Sequence, residues 1–158
     1  MIFYFFLLGG GHKRKVVKNH IEKFPKSNVF LLPHQPFEIL ADVLSAPILS
    51  FVCLENDFTG FSVPSKSYGI MAARTALVGL LDEQSEIAQI IRKYECGINY
   101  DKSKDKETLA VMLENFIKEE NFDRYSENSY NAFIENFDLS IAAKKYNSEI
   151  NKIIYNAL

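Results

Sequence analysis

Three short loops carry the residues of this chain whose types and spacing suit ligand chemistry. Gly9-Gly10-Gly11 follows an apolar run, and adjacent glycines let a backbone approach a ligand closely and expose its N–H groups. Pro33-His34-Gln35 follows a second apolar run, and prolines stiffen a loop that could present main-chain groups to a flat ligand such as a base. In a simpler interpretation each loop is only a turn between a strand and a helix. The residues fit this interpretation equally well for the first loop and favour it for the second.

The third loop predicts an anion site at the start of a helix. Pro64 suits the first turn of a helix, where its missing N–H costs nothing. Ser65 and Lys66 add a hydroxyl and an ammonium to the free backbone N–H groups of that turn, and the helix dipole favours a phosphate there. Gly60 and Ser62 lie in the turn before this helix. In the alternative interpretation Gly60 only makes the turn, Ser65 helps to cap the helix and Lys66 is solvated.

No pattern for a metal or a nucleophile accompanies these loops. The three histidines lack paired ligand spacing, and no Ser or Cys lies in a nucleophile-elbow pattern. Cys53 and Cys96 are too few and too far apart for a zinc site or a disulfide framework. We expect both to be buried small apolar groups in a reducing compartment. We therefore expect no metal and no other cofactor, and the sequence identifies no catalytic residue.

The elements that must position these loops alternate between short apolar runs and segments of helical spacing. The runs predict strands at Ile2–Leu8, Val29–Leu32, Ile48–Leu54 and Leu77–Leu81, with a short edge strand at Ile98–Tyr100. Because the runs are continuously apolar, we expect strands buried on both faces of a parallel sheet. Helical stripes follow, the first at Ile87, Ile90, Ile91 and Tyr94, and three consecutive helical segments form a C-terminal tail. The alternation predicts an α/β fold with a doubly wound sheet, whose loops bind ligands at the carboxyl ends of the strands.

Length and composition exclude several classes of protein. The 158 residues suit one domain, and 47% apolar with 24% charged residues is typical of a folded protein. A net charge of -2 gives no long-range attraction for nucleic acid, which we do not expect as a partner. The apolar opening lacks a basic region before it and is too short to span a bilayer, so the sequence predicts a cytoplasmic protein.

The order of these segments resembles that of a known family. GFSVPSKSYGIMAARTALVGL (60–80) is similar to the donor-site segment of group 1 glycosyltransferases, in the branch of capsule and O-antigen sugar transferases that has "VPSK-x-Y-E-I-M-A-A-G". NVFLLPHQPFEILADVLSAPI (28–48) precedes this segment and SEIAQIIRKYECGINY (85–100) follows it, in the family order. The resemblance covers essentially the whole chain.

The resemblance implies a GT-B glycosyltransferase, in which two Rossmann-like domains face each other across a cleft. The chain (1–158) would be the C-terminal, Rossmann-like domain, which binds a UDP- or GDP-sugar donor. Ser65 and Lys66 would hold the diphosphate, Gly9–Gly11 would lie close to it or to the nucleotide, and Pro33–Gln35 would lie near the base. The acceptor would be a surface polysaccharide or a lipid-linked sugar, which implies work at the inner face of the membrane.

The chain also departs from the family pattern. Gly69 stands where the family has the Glu that binds the ribose, and Arg74 stands where it has a glycine. Ala76 replaces the usual proline, and Phe61 occupies the offset at which a further Glu often contacts the sugar. The acceptor-binding half would be absent, so we expect the isolated chain to be inactive and to act with a separate N-terminal half. The alternative is a non-catalytic remnant or interaction domain with the same fold.

Overall fold

The computed structural model describes residues 3–25, 28–55, 58–101, 103, 106–119 and 121–156. Parallel strands alternate with helices along the chain, and a long helix ends it. The elements are β1 (Phe5–Leu8), α1 (Arg14–Lys23), β2 (Val29–Leu32), a 3-10 turn (Phe37–Ile39), α2 (Leu40–Ser45), β3 (Leu49–Cys53), α3 (Lys66–Ala72), β4 (Ala76–Leu80), α4 (Glu86–Tyr94), β5 (Gly97–Tyr100), α5 (Lys106–Lys118), α6 (Phe122–Asn136) and α7 (Leu139–Asn156). Contacts divide the chain into two compact units, Met1–Val43 and Leu44–Leu158.

The first unit is a β-α-β unit with two parallel strands. β1 pairs with β2 over four residues, beginning with Phe5 opposite Val29, and α1 connects the two strands. Phe6 and Phe30 stack with ring centroids 5.3 Å apart, yet they are 57% and 43% exposed. The sequence predicts strands buried on both faces, and this is wrong for β1 and β2, since neither strand has a fully buried residue. Within this unit α1 packs against β2, and a strand buried on both faces needs a layer on each.

The second unit is built on a three-stranded parallel sheet in the order β3-β4-β5. The central strand β4 is buried along its first four residues, as its apolar run predicts. β3 lies at the edge of this sheet, and Cys53 at its end is exposed, so the expectation of a buried Cys53 is wrong. Cys96, immediately before β5, is fully buried as predicted.

Helix α4 shows how a local sequence pattern becomes part of the core. The Ser85 side chain accepts a hydrogen bond from the Ala88 N–H at 3.4 Å and so caps the helix. The predicted stripe of Ile87, Ile90 and Ile91 is buried in the core of the second unit. Glu95 ends the helix in a left-handed conformation, with φ of 47°.

The C-terminal tail consists of three consecutive helices, α5 to α7, as the sequence predicts. α6 packs against α3 and β4 and buries Ser129 and Ala132. Among the described residues, no helix is both long enough and apolar enough to cross a membrane. The α/β architecture with parallel strands is therefore established, in two sheets of two and three strands. A single doubly wound sheet in one domain stays a prediction.

Candidate functional site

The glycine turn, Gly9–Gly11, lies at the carboxyl end of β1. Gly9 and Gly11 have φ values of 115° and 104°, which residues with a side chain rarely adopt. The Gly9 N–H donates to the Leu32 carbonyl at 3.1 Å, so the turn begins where both strands end. The Gly11 carbonyl accepts from the Arg14 N–H at 3.1 Å, which leads directly into α1. The turn thus occupies the strand-to-helix position at which open parallel sheets bind ligands.

The loop after β2 brings His34 against the glycine turn. A Cβ atom added to Gly9 would lie 3.1 Å from His34 Cε1, and one added to Gly10 would lie 3.4 Å from His34 Nε2. The two glycines therefore leave the room that the imidazole occupies. The Gln35 side-chain amide donates to the Pro33 carbonyl at 3.0 Å, so it fixes its own loop. The structure brings together Gly9, Gly10 and His34, which come from two separate loops of the sequence.

Arg14, in the first turn of α1, is a site residue that the sequence reasoning missed. Its Nη1 donates to the Gly9 carbonyl at 2.5 Å and to the Leu32 carbonyl at 3.3 Å. Its Nη2 and Nε have no hydrogen-bond partner among the described residues, which leaves donors of a permanent cation beside the glycine turn. The signal was present in the sequence, because Lys13, Arg14 and Lys15 directly follow the glycines and His12.

The predicted donor segment, Gly60 to Lys66, lies before α3 in the second unit. Gly60 has φ of 82°, and the N–H groups of the next two residues both donate to the Phe58 carbonyl at 3.0 Å. Ser62, Ser65 and Lys66 are exposed, and Pro64 is half-buried. These positions leave a hydroxyl and an ammonium open to solvent at the start of α3.

Helix α3 begins two residues later than the predicted position of Pro64 implies. The Pro64 carbonyl accepts from both the N–H and the hydroxyl of Ser67, at 3.0 and 2.6 Å, and the helix starts at Lys66. The Ser65 side chain makes no capping hydrogen bond. Ser67, which the sequence analysis did not identify, therefore stabilises this turn. Ser65 does not cap the helix through its side chain, so this part of the alternative interpretation is wrong.

Two residues that depart from the pattern of the family that the chain resembles lie in α3 and just after its end. Gly69 lies inside the helix, and a Cβ atom added there would meet only Leu44 Cδ1, at an ordinary distance of 3.5 Å. Arg74 follows the helix in a left-handed conformation, with φ of 55°. A glycine suits the position of Arg74 because that conformation is unfavourable for residues with a Cβ.

A tyrosine near the start of α3 is hydrogen-bonded to a carboxylate at the start of α4. Tyr68 Oη donates to Glu86 Oε1 at 3.0 Å. Burial raises the pKa of Tyr68 to about 12, and the hydrogen bond to Glu86 and its negative charge act in the same direction. The sequence analysis did not identify this pair, because the two residues are 18 positions apart.

Within the described ranges, no group of three or more His, Cys, Asp or Glu side chains is placed to hold a metal ion. The arrangement that the structure does describe is a glycine turn at the carboxyl end of β1, with an imidazole and a guanidinium beside it. No protein-family model matches this chain, and no curated protein matches it.

Proposed function

We propose that this chain binds the nucleotide-sugar donor of a glycosyltransferase, with a UDP or GDP moiety, as one Rossmann-like half of a GT-B enzyme. The enzyme would transfer the sugar to a surface polysaccharide or lipid-linked acceptor. The observation that supports the proposal best is the glycine turn with Arg14 and His34 beside it. Backbone N–H groups at a helix start and a guanidinium favour a diphosphate, and an imidazole suits a neighbouring planar base.

The chemical contribution of such a site is the stabilisation of a leaving group. In transfer from a nucleotide sugar, negative charge develops on the departing diphosphate. Preorganised donors and cations aimed at that charge lower the barrier without a metal ion. Arg14 and the positive end of α1 would supply the required charge beside the glycine turn.

A second candidate is a non-catalytic domain with the same fold. It is favoured by Gly69 and Phe61, where the resemblance expects donor-binding carboxylates, and by Arg74 in place of a glycine. Each lost charged hydrogen bond costs about 1.5–3 kcal/mol. Two such losses would lower the affinity for a donor by about two to four orders of magnitude.

Thermal unfolding with UDP, GDP, UDP-N-acetylglucosamine and GDP-mannose distinguishes the two candidates. A ligand at about 100 times its Kd adds about 2.7 kcal/mol to the free energy of unfolding, which is a measurable rise in Tm. We expect either the uridine or the guanosine nucleotides to raise the Tm. His34→Ala should make this rise in Tm smaller. His20→Ala is the matched control, because His20 is an exposed histidine of α1 that packs on Phe24.

Variants of the donor segment form a separate arm of the experiment. The resemblance assigns Ser65 and Lys66 to the diphosphate, so Lys66→Ala should lower the nucleotide affinity by about tenfold or more. If no nucleotide at millimolar concentration changes the Tm of the unsubstituted chain, donor binding is refuted and the non-catalytic candidate stands. If a nucleotide raises the Tm and neither His34→Ala nor Lys66→Ala reduces that rise, the assignment of these residues to the binding site is refuted.

A further inference from the structure

The second unit contains a groove that the nucleotide proposal does not use. It lies among the starts of α3 and α4, the end of α6 and the first half of α7, and its volume is about 520 Å³. The residues that line it are Tyr68, Glu86, Asn136, Phe137, Ala142, Lys145, Tyr146 and Glu149. A smaller hollow of about 310 Å³ continues along α4 and shares four of these residues. We call the larger space the aromatic groove.

Aromatic rings form its apolar surface. Phe137 lies between two tyrosines, with ring centroids 5.3 Å from Tyr68 in a tilted arrangement and 6.0 Å from Tyr94 edge to face. These contacts fix the rings of the floor. Tyr146 projects from α7 at the rim and is 74% exposed, so its ring is available to cover a ligand.

Hydrogen-bonding groups of both kinds lie around these rings. Glu86 Oε1 accepts from Tyr68 Oη at 3.0 Å, which orients the carboxylate. Lys145 Nζ donates to the Asn136 carbonyl at 3.2 Å, which holds the ammonium at the corner between α6 and α7. Glu149 accepts from Lys152 Nζ at 2.6 Å, one turn further along α7. An orientated set of donors and acceptors around an apolar floor is characteristic of small-ligand sites.

The charges in the groove select against most other ligands. Two carboxylates, Glu86 and Glu149, and one ammonium group, Lys145, line the groove. Lys93 lines the adjoining hollow, and Lys152 pairs with Glu149. A polyanion such as a nucleotide would lie against the carboxylates, and an organic cation would lie against the ammonium groups. A purely apolar ligand would displace water from the charged groups that line the groove without replacing their hydrogen bonds, which is costly.

We propose that the aromatic groove binds a neutral, hydroxylated ring of the size of a hexopyranose. The apolar face of such a ring packs on Phe137 and under Tyr146, and its hydroxyl groups donate to Glu86 and Glu149 and accept from Lys145. This site is distinct from the glycine turn, and it does not depend on nucleotide binding. The Tyr68 hydroxyl keeps its proton at neutral pH, as any tyrosine with so high a pKa does, and it continues to orient Glu86.

The test is an NMR titration of the full chain with free glucose, galactose, mannose and N-acetylglucosamine. The affinity that a small ligand gains per atom implies a Kd of about a millimolar, so the titration extends to about 50 mM. We expect saturable amide shifts confined to the starts of α3 and α4, the end of α6 and the first half of α7. Tyr146→Ala should weaken binding by about tenfold, because it removes one stacking ring.

Tyr155→Ala is the matched control, because Tyr155 is on the same helix, is 78% exposed and does not line the groove. Both tyrosines are exposed, so neither variant should disturb folding. Absence of saturable shifts with every sugar would refute the proposal, as would equal losses in the two variants. Shifts of the groove with choline or UDP instead of the sugars would also refute it. A nucleotide titration of the same sample reports separately on the glycine turn, so failure of one proposal leaves the other open to its own test.

Discussion

Arg74 offers a direct test of how this chain terminates α3. It has φ of 55° and follows the helix, with its N–H donating to the Met71 carbonyl at 3.0 Å. Its side chain extends to α6, where Nη1 lies 3.0 Å from Glu127 Oε2 and the guanidinium lies 4.5 Å from the centre of the Tyr130 ring. The residue therefore combines an unfavourable backbone with two favourable side-chain contacts.

The energies of these features can be separated by two substitutions. The left-handed conformation costs about 1–2 kcal/mol in a residue with a Cβ. The exposed ion pair contributes about 0.2–1 kcal/mol and the cation–π contact about 0.5–1 kcal/mol. Arg74→Ala loses both contacts and keeps the backbone cost, so the free energy of unfolding should fall by about 1–2 kcal/mol. Arg74→Gly loses the same contacts and releases the backbone cost, so it should be more stable than Arg74→Ala by about 1 kcal/mol.

Urea unfolding followed by circular dichroism measures this difference, and an unchanged slope shows that both variants unfold in the same way. Arg124 is the matched control, because it also has an exposed ion pair and a cation–π contact but lies inside α6. There the order should reverse, since glycine is less favourable than alanine in a helix by about 0.8–1 kcal/mol. If Arg74→Ala equals or exceeds Arg74→Gly in stability, the assignment of backbone cost at this position is incorrect.

Two further predictions concern positions near the core of the second unit. Gly69→Ala should raise the free energy of unfolding in urea by about 0.5–1 kcal/mol, because glycine is unfavourable in a helix and the added Cβ meets only an ordinary contact; a loss of stability would contradict this. Burial raises the pKa of the Cys96 thiol to about 12, so the folded state keeps a proton that the unfolded state loses above pH 9. Stability should therefore fall by about 1.4 kcal/mol per pH unit from pH 9 towards 12, and Cys96→Ala should remove this part of the slope.

The elements that the sequence predicts best are those defined by contiguous residues. The strand at Val29–Leu32 has the predicted bounds, and the stripe of Ile87, Ile90 and Ile91 is buried as its spacing requires. The pairing of strands was not predictable in this way, because parallel partners are joined through long connections. The exposure of Phe6 and Cys53 follows from that pairing, since each lies on a face or an edge that a local pattern does not identify.

The two candidate sites differ in the same way, because one is defined by contiguous residues and the other is not. The glycine turn could be located from its own residues, and its contact with His34 depends only on two parallel strands that end together. The aromatic groove could not be located, because Tyr68, Glu86 and Phe137 come from three helices or their ends. Its residues carry no motif, and each one alone fits an ordinary amphipathic helix.

The charge pattern of α1 gives the strongest physical reason to test the nucleotide proposal first. No acidic residue lies in the first turn of this helix, and Arg14 and Lys15 lie there instead. Cations at a helix start oppose the helix dipole, at about 0.3–1 kcal/mol each in exposed positions. Helix stability alone therefore does not explain them. A bound anion would reverse the sign of this interaction, since the dipole, the backbone N–H groups and the cations would all attract it. The departures at Gly69 and Arg74 weaken a different part of the resemblance, so a site on the first unit does not depend on them.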